Sequence, residues 1–104
     1  MRAHTNRVSV GMRIQSYDYV VNLARAEHVS MSKVVEHIVL EAPTRKLDPI
    51  SYVPDTGIAH RVTVNFSKEA YSIVYERAVH DDISLSRAVE HFILESEAAE
   101  DDYR

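Results

Sequence analysis

Residues 7–12 read RVSVGM, and residues 61–66 read RVTVNF. Each stretch alternates polar and apolar, the period of a half-buried strand. Val8, Val10 and Met12 fall on one face, with Arg7, Ser9 and Gly11 on the other. Val62, Val64 and Phe66 repeat the apolar face, and Arg61, Thr63 and Asn65 the polar one. The 54-residue offset does not stop at the strand. Residues 7–42 lie over 61–96 without a gap and match at 13 of 36 positions, which marks an internal duplication.

After each strand the period changes from two to 3.6. Helices are expected at about 14–27 and 31–42, and again at 68–81 and 85–96. The expected helix at 31–42 carries Met31, Val34, Val35, Ile38, Val39 and Ala42 at i, i+3, i+4, i+7, i+8 and i+11, an unbroken amphipathic stripe. Its counterpart is Leu85, Ala88, Val89, Phe92, Ile93 and Ser96. Ser67 is a good N-cap for the helix at 68–81, whereas the matching Arg13 is a poor one, so the first helix is expected to fray more. His28 and Asp82 stand at the corners between helices, where a left-handed residue is often needed and these types are tolerated.

All three prolines and one of the two glycines fall in 43–60, which reads as a connector between the copies. The chain then divides into an arm and first repeat at 1–42, a linker at 43–60, a second repeat at 61–96 and an acidic tail at 97–104. One copy is too small to bury a self-sufficient core, and a lone strand leaves its N–H and C=O groups without partners. Both problems are solved if 8–12 pairs antiparallel with 62–66 and four helices pack under that ribbon. The expected class is therefore mostly α with a two-stranded antiparallel ribbon.

The 104 residues contain no cysteine, which removes disulfides, thiolate catalysis and cysteine-type zinc sites. No window is apolar enough to span a membrane, and the first residues, MRAHTNR, do not form a secretory signal. A cytoplasmic protein, of a cell or of a virus acting inside one, is expected. The net charge of −4 is concentrated: ESEAAEDDYR at 95–104 holds five acids and one arginine, and the remainder is neutral. The two glycines are too few for a phosphate-cradling loop. No nucleophile–base spacing stands out, so no catalytic residue and no enzyme is expected.

RVSVGM with SMSKVVE, and RVTVNF with SLSRAVE, resemble the ribbon-helix-helix family of DNA-binding repressors. The likeness covers 72 of the 104 residues, and finding it twice in one chain is similar to the relaxosome accessory proteins of some conjugative plasmids. It implies two ribbon-helix-helix repeats forming an intramolecular pseudo-dimer. It also implies a sequence-specific partner, double-stranded DNA, with the ribbon in the major groove. The family's base-reading positions fall on Arg7, Ser9 and Gly11 and on Arg61, Thr63 and Asn65. Gly11 departs from the family, which places a long polar residue there, so reading by the first strand is expected to weaken or to shift to the second. A proline usual before the first helix is also missing. The family's phosphate clamp falls on Ser30 and Ser32 and on Ser84 and Ser86.

Lys33 and Arg87 sit in the first turns of matched helices, where the macrodipole disfavours cations. A phosphate bound beside them would reverse that cost. His37/Glu41 and His91/Glu95 are repeated i, i+4 pairs, but two ligands per helix make a weak metal site. A solvated ion pair or a helix-boundary contact is the expected reading, with no metal or cofactor. Tyr19, Val21, Ile73 and Tyr75 lie off the main buried lines of the first helices, where they would either be partly buried or form a surface for self-association or a protein partner. The leading expectation is a small transcriptional regulator or DNA-processing accessory factor. The alternative is a protein-interaction module on the same scaffold, antitoxin-like or a phage-encoded inhibitor of a host protein.

Overall fold

The computed structural model describes residues 6–45 and 57–101. The first five residues of the expected arm, residues 46–56 of the linker and the last three of the acidic tail lie outside the described residues. The element order is β1 (Asn6–Arg13), α1 (Ile14–Glu27), α2 (Met31–Arg45), β2 (Ile58–Phe66), α3 (Lys68–Asp81) and α4 (Leu85–Asp101). The chain is mostly helical, with four helices and one two-stranded antiparallel sheet among the described residues.

β1 and β2 pair in the register Arg7↔Asn65, Val8↔Val64, Ser9↔Thr63, Val10↔Val62 and Gly11↔Arg61. That register sets valine opposite valine on one face and polar groups on the other. Val8, Val10, Met12, Val64 and Phe66 are buried and close one side of the core. Val20, Ala24, Val74 and Ala78 of α1 and α3 join them, with Val34, Val35, Ile38 and Val39 of α2 and Ala88, Val89, Phe92 and Ile93 of α4. The stripes read from the sequence thus line the core, with Met31, Ala42, Val62 and Leu85 only partly buried against it, and this burial is the main stabilising term.

The corners behave as their residue types suggest. His28 and Asp82 end α1 and α3 in the left-handed region, at φ 57° and 56°. Their main-chain N–H groups return to the last turns, as do those of Val29 and Ile83, which donate to Ala24 and Ala78 carbonyls at 3.1 and 3.0 Å. Ser67 caps α3 by accepting from the Ala70 N–H at 3.2 Å. Arg13 supplies no side-chain cap to α1.

Two helices run longer than the sequence suggests. α2 continues to Arg45 through Pro43; so near the end, the proline forfeits one main-chain bond, while the Thr44 hydroxyl donates to the Glu41 carbonyl at 2.9 Å. α4 continues to Asp101, so the acidic segment begins as helix. Ala98 and Ala99 favour helix intrinsically, and Gln15 donates to Glu97 at 2.7 Å, which offset acids placed at the unfavourable end of the dipole.

Candidate functional site

The outward face of the ribbon is built from residues that alternation turns away from the core. Arg7, Ser9, Arg61, Thr63 and Asn65 are all exposed on it. No aspartate or glutamate occurs in either strand, so this face is free of acids in a chain of net charge −4. Arg7 lies opposite Asn65, and its Nε donates to Asn65 Oδ1 at 3.3 Å. Gly11 differs from its five companions because it is buried.

The burial of Gly11 comes from an irregularity at the end of the ribbon. Met12 faces His60 and Arg13 faces Ile58, so the register shifts and Ala59 is the extra residue. A Cβ added at Gly11 would meet Ile58 Cγ2 at 3.1 Å, Ile58 Cδ1 at 3.2 Å and Arg61 Nη1 at 3.6 Å. On the same end the His60 ring stacks on Tyr17, with centroids 3.8 Å apart.

The serines expected to hold phosphate have structural partners. Ser30 and Ser84 cap α2 and α4, each hydroxyl accepting the N–H three residues on, from Lys33 and Arg87, at 3.1 Å. Ser32 Oγ accepts the main-chain N–H of Asn65 at 3.1 Å, and Ser86 Oγ accepts that of Gly11 at 2.9 Å. These N–H groups lie on the outer edges of the ribbon, where no third strand can satisfy them. Lys33 is exposed and Arg87 half-buried.

Glu36 and Glu90 do work that the sequence did not disclose. Glu36 Oε2 accepts the Ser67 N–H at 2.8 Å, and Glu90 Oε2 accepts the Arg13 N–H at 3.1 Å. Glu90, almost fully buried, also accepts from the Ser16 hydroxyl at 3.2 Å and lies 3.5 Å from Arg13 Nε. The start of α1 therefore lacks a cap of its own but is held from α4. Burial pushes the Glu36 carboxyl upward, but the Ser67 main-chain and hydroxyl bonds, with Lys33 and His37 nearby, hold it below its usual range. The only advance signal was that both glutamates recur at the same offset.

The two His–Glu pairs part company. His37 and Glu41 are exposed, as a solvated pair should be. His91 is 1% exposed and Glu95 nearly as buried, so the solvated reading is corrected for the second copy. Glu95 is ion-paired with Arg77, which also binds Asp81 and lies over the Phe92 ring at 5.1 Å. Neither ring nitrogen of His91 has a hydrogen-bond partner. Burial, and then the Arg77 charge, push its pKa down, against the opposing pull of Glu95 and Asp81. Arg77 is what the second copy has in place of Leu23, which explains why a carboxylate can be buried there and not in the first copy.

Among the described residues no cluster of three or more histidine, aspartate or glutamate side chains could hold a metal ion. Among the described residues no helix is long and apolar enough to cross a membrane. Of the off-line residues, Tyr19, Val21 and Ile73 are half-buried and Tyr75 exposed; the Tyr19 hydroxyl meets Ser96 Oγ at 3.0 Å. Compared with protein-family models, with curated proteins and with solved structures, the chain matches none.

Proposed function

We propose that the chain is a sequence-specific double-stranded DNA-binding protein, a small transcriptional regulator or DNA-processing accessory factor, that lays its ribbon in the major groove. The carrying observation is the acid-free outward face of β1 and β2, on which Arg7, Ser9, Arg61, Thr63 and Asn65 are all exposed. Two strands about 4.8 Å apart fit a groove about 12 Å wide. Arginine, asparagine and hydroxyl groups are the side chains that read base edges there. Lys33 and Arg87, in the first turns of α2 and α4, would meet the flanking phosphates.

In this reading the two copies act as an intramolecular pseudo-dimer. Supporting it, two kinds of bond between the copies each occur twice, with the roles of the copies exchanged. Ser32 to Asn65 and Ser86 to Gly11 are the same contact at an offset of 54 residues, and so are Glu36 to Ser67 and Glu90 to Arg13. Selection from random duplex DNA, followed by titration across salt, tests the proposal. One preferred duplex is expected, with affinity falling as salt rises. No preferred duplex at about 50–100 mM salt would sink it.

A further inference from the structure

Position 11 is the one place where the outward face of the ribbon offers no side chain of its own, yet the space there is filled. The Cγ2 and Cδ1 atoms of Ile58 stand 3.1 and 3.2 Å from where a Gly11 Cβ would be. Strict alternation would turn Ile58 inward, because Arg61 is outward and three residues away. The register shift between Met12 and Arg13 adds one residue to β2 and sets Ile58 opposite Arg13, which places it on the outward side. The core lies on the other face, so burial does not explain an aliphatic residue here. Ile58 remains 45% exposed, beside the Arg61 guanidinium that approaches the same point.

We propose that Ile58 is a further specificity-determining residue, one that occupies the reading position vacated by Gly11 and takes a thymine methyl. This rests on the DNA-binding reading above. Among base-edge features in the major groove, the C5 methyl of thymine is the apolar one, and an aliphatic side chain contacts it without leaving a donor or acceptor unpaired. Arg61, its neighbour, supplies donors suited to guanine, so the pair Arg61–Ile58 would select a guanine and a thymine close together. The opposite end of the ribbon carries Arg7 facing Asn65 instead.

The test uses the full chain and its selected duplex, replacing each thymidine in turn by deoxyuridine, which removes only the methyl. With the unaltered chain, one replacement in the half facing Arg61 should weaken binding about fourfold, the worth of returning one methyl to water. Ile58→Val should keep that sensitivity. Ile58→Ala should lose it, while folding as before, because the side chain lies outside the core. A flat deoxyuridine scan on a specifically bound duplex would overturn this inference alone. So would a sensitivity unchanged in Ile58→Ala. If selection yields no preferred duplex, the DNA-binding reading fails first and this one goes with it.

Discussion

The Ser86 hydroxyl accepts the main-chain N–H of Gly11 at 2.9 Å, tying the edge of one strand to the helix that the other copy contributes. Ser32 does the same for Asn65 at 3.1 Å, but that bond is exposed and the first is part-buried. Burial decides which matters more, since water can replace a lost partner only where it reaches. Ser86→Ala should lower unfolding stability by about 1–2 kcal/mol and Ser32→Ala by about half that. Urea denaturation of both variants checks the order. A larger loss from Ser32→Ala would contradict it.

What could be read in advance, and what could not, follows from where each contact lives. The strand pairing and the four helices were legible because they depend on local period, and the duplication wrote each pattern twice. The corners at His28 and Asp82 were legible because few non-glycine residues accept positive φ. The roles of Ser32, Ser86, Glu36 and Glu90 were not. Recurrence at one offset says that a residue matters twice, not whether its hydroxyl or carboxylate faces an external anion or an internal N–H. Ile58 was invisible for another reason: its side depends on one extra residue in β2, and a register shift leaves no mark on composition. The buried Arg77–Glu95 pair has no counterpart in the first copy, so the repeat concealed it.

That pair supplies a stability prediction. Arg77 is held to both Glu95 and Asp81, and Glu95 is almost entirely covered. Arg77→Leu, which copies the residue at position 23, strands a buried carboxylate and should cost about 3–5 kcal/mol. Adding Glu95→Leu removes the stranded charge and should restore most of that loss. A double-mutant cycle by chemical denaturation measures the coupling. Simple additivity of the two losses would show that burial of Glu95 does not depend on Arg77.

His91 gives a pH dependence whose sign is fixed by its surroundings. Burial and Arg77 push its folded-state pKa below the ordinary value, while Glu95 and Asp81 oppose this and Arg87 adds to it. The native state therefore holds His91 neutral, and the unfolded chain takes a proton below about pH 6.5. Stability is fully present above that pH and is lost as pH falls from it toward the folded-state value. His91→Leu should remove this part of the slope between about pH 7 and 5.5, before acidic side chains titrate. It should also raise stability at pH 7 by about 1 kcal/mol, because two buried ring nitrogens have no partners and leucine has none to satisfy. An unchanged slope in the variant would assign the pH dependence elsewhere.

Lys33 and Arg87 test positioning against reading. Replacing both with glutamate should weaken binding to every duplex by a similar factor and flatten the salt dependence, because phosphate contacts carry no sequence information directly. Competition between the preferred duplex and a scrambled one, before and after the change, separates the cases. A changed sequence preference would make these residues readers.

The strongest prediction concerns the two ends of the ribbon, which the register makes unequal. Arg7 faces Asn65 at one end, Arg61 faces Gly11 at the other, and Ser9 faces Thr63 between them. An ordinary two-fold dimer presents the same residues twice and reads a palindrome; this chain presents an asparagine at one end and an aliphatic side chain at the other. The selected site should therefore have two unlike halves. Asn65→Ala should cost about 1–3 kcal/mol at one base and relax the choice there. The asymmetry should also be removable. Gly11→Asn supplies the missing asparagine, and the backbone permits it because Gly11 does not need positive φ. Ile58→Ala clears the atoms that would crowd the new Cβ, and Ser9→Thr matches the centre of the ribbon. A chain with these three changes presents arginine, threonine and asparagine on both strands, and renewed selection should return a palindrome built from the half-site that Asn65 prefers. If the altered chain still selects the original unlike halves, the ribbon face is not what reads the DNA.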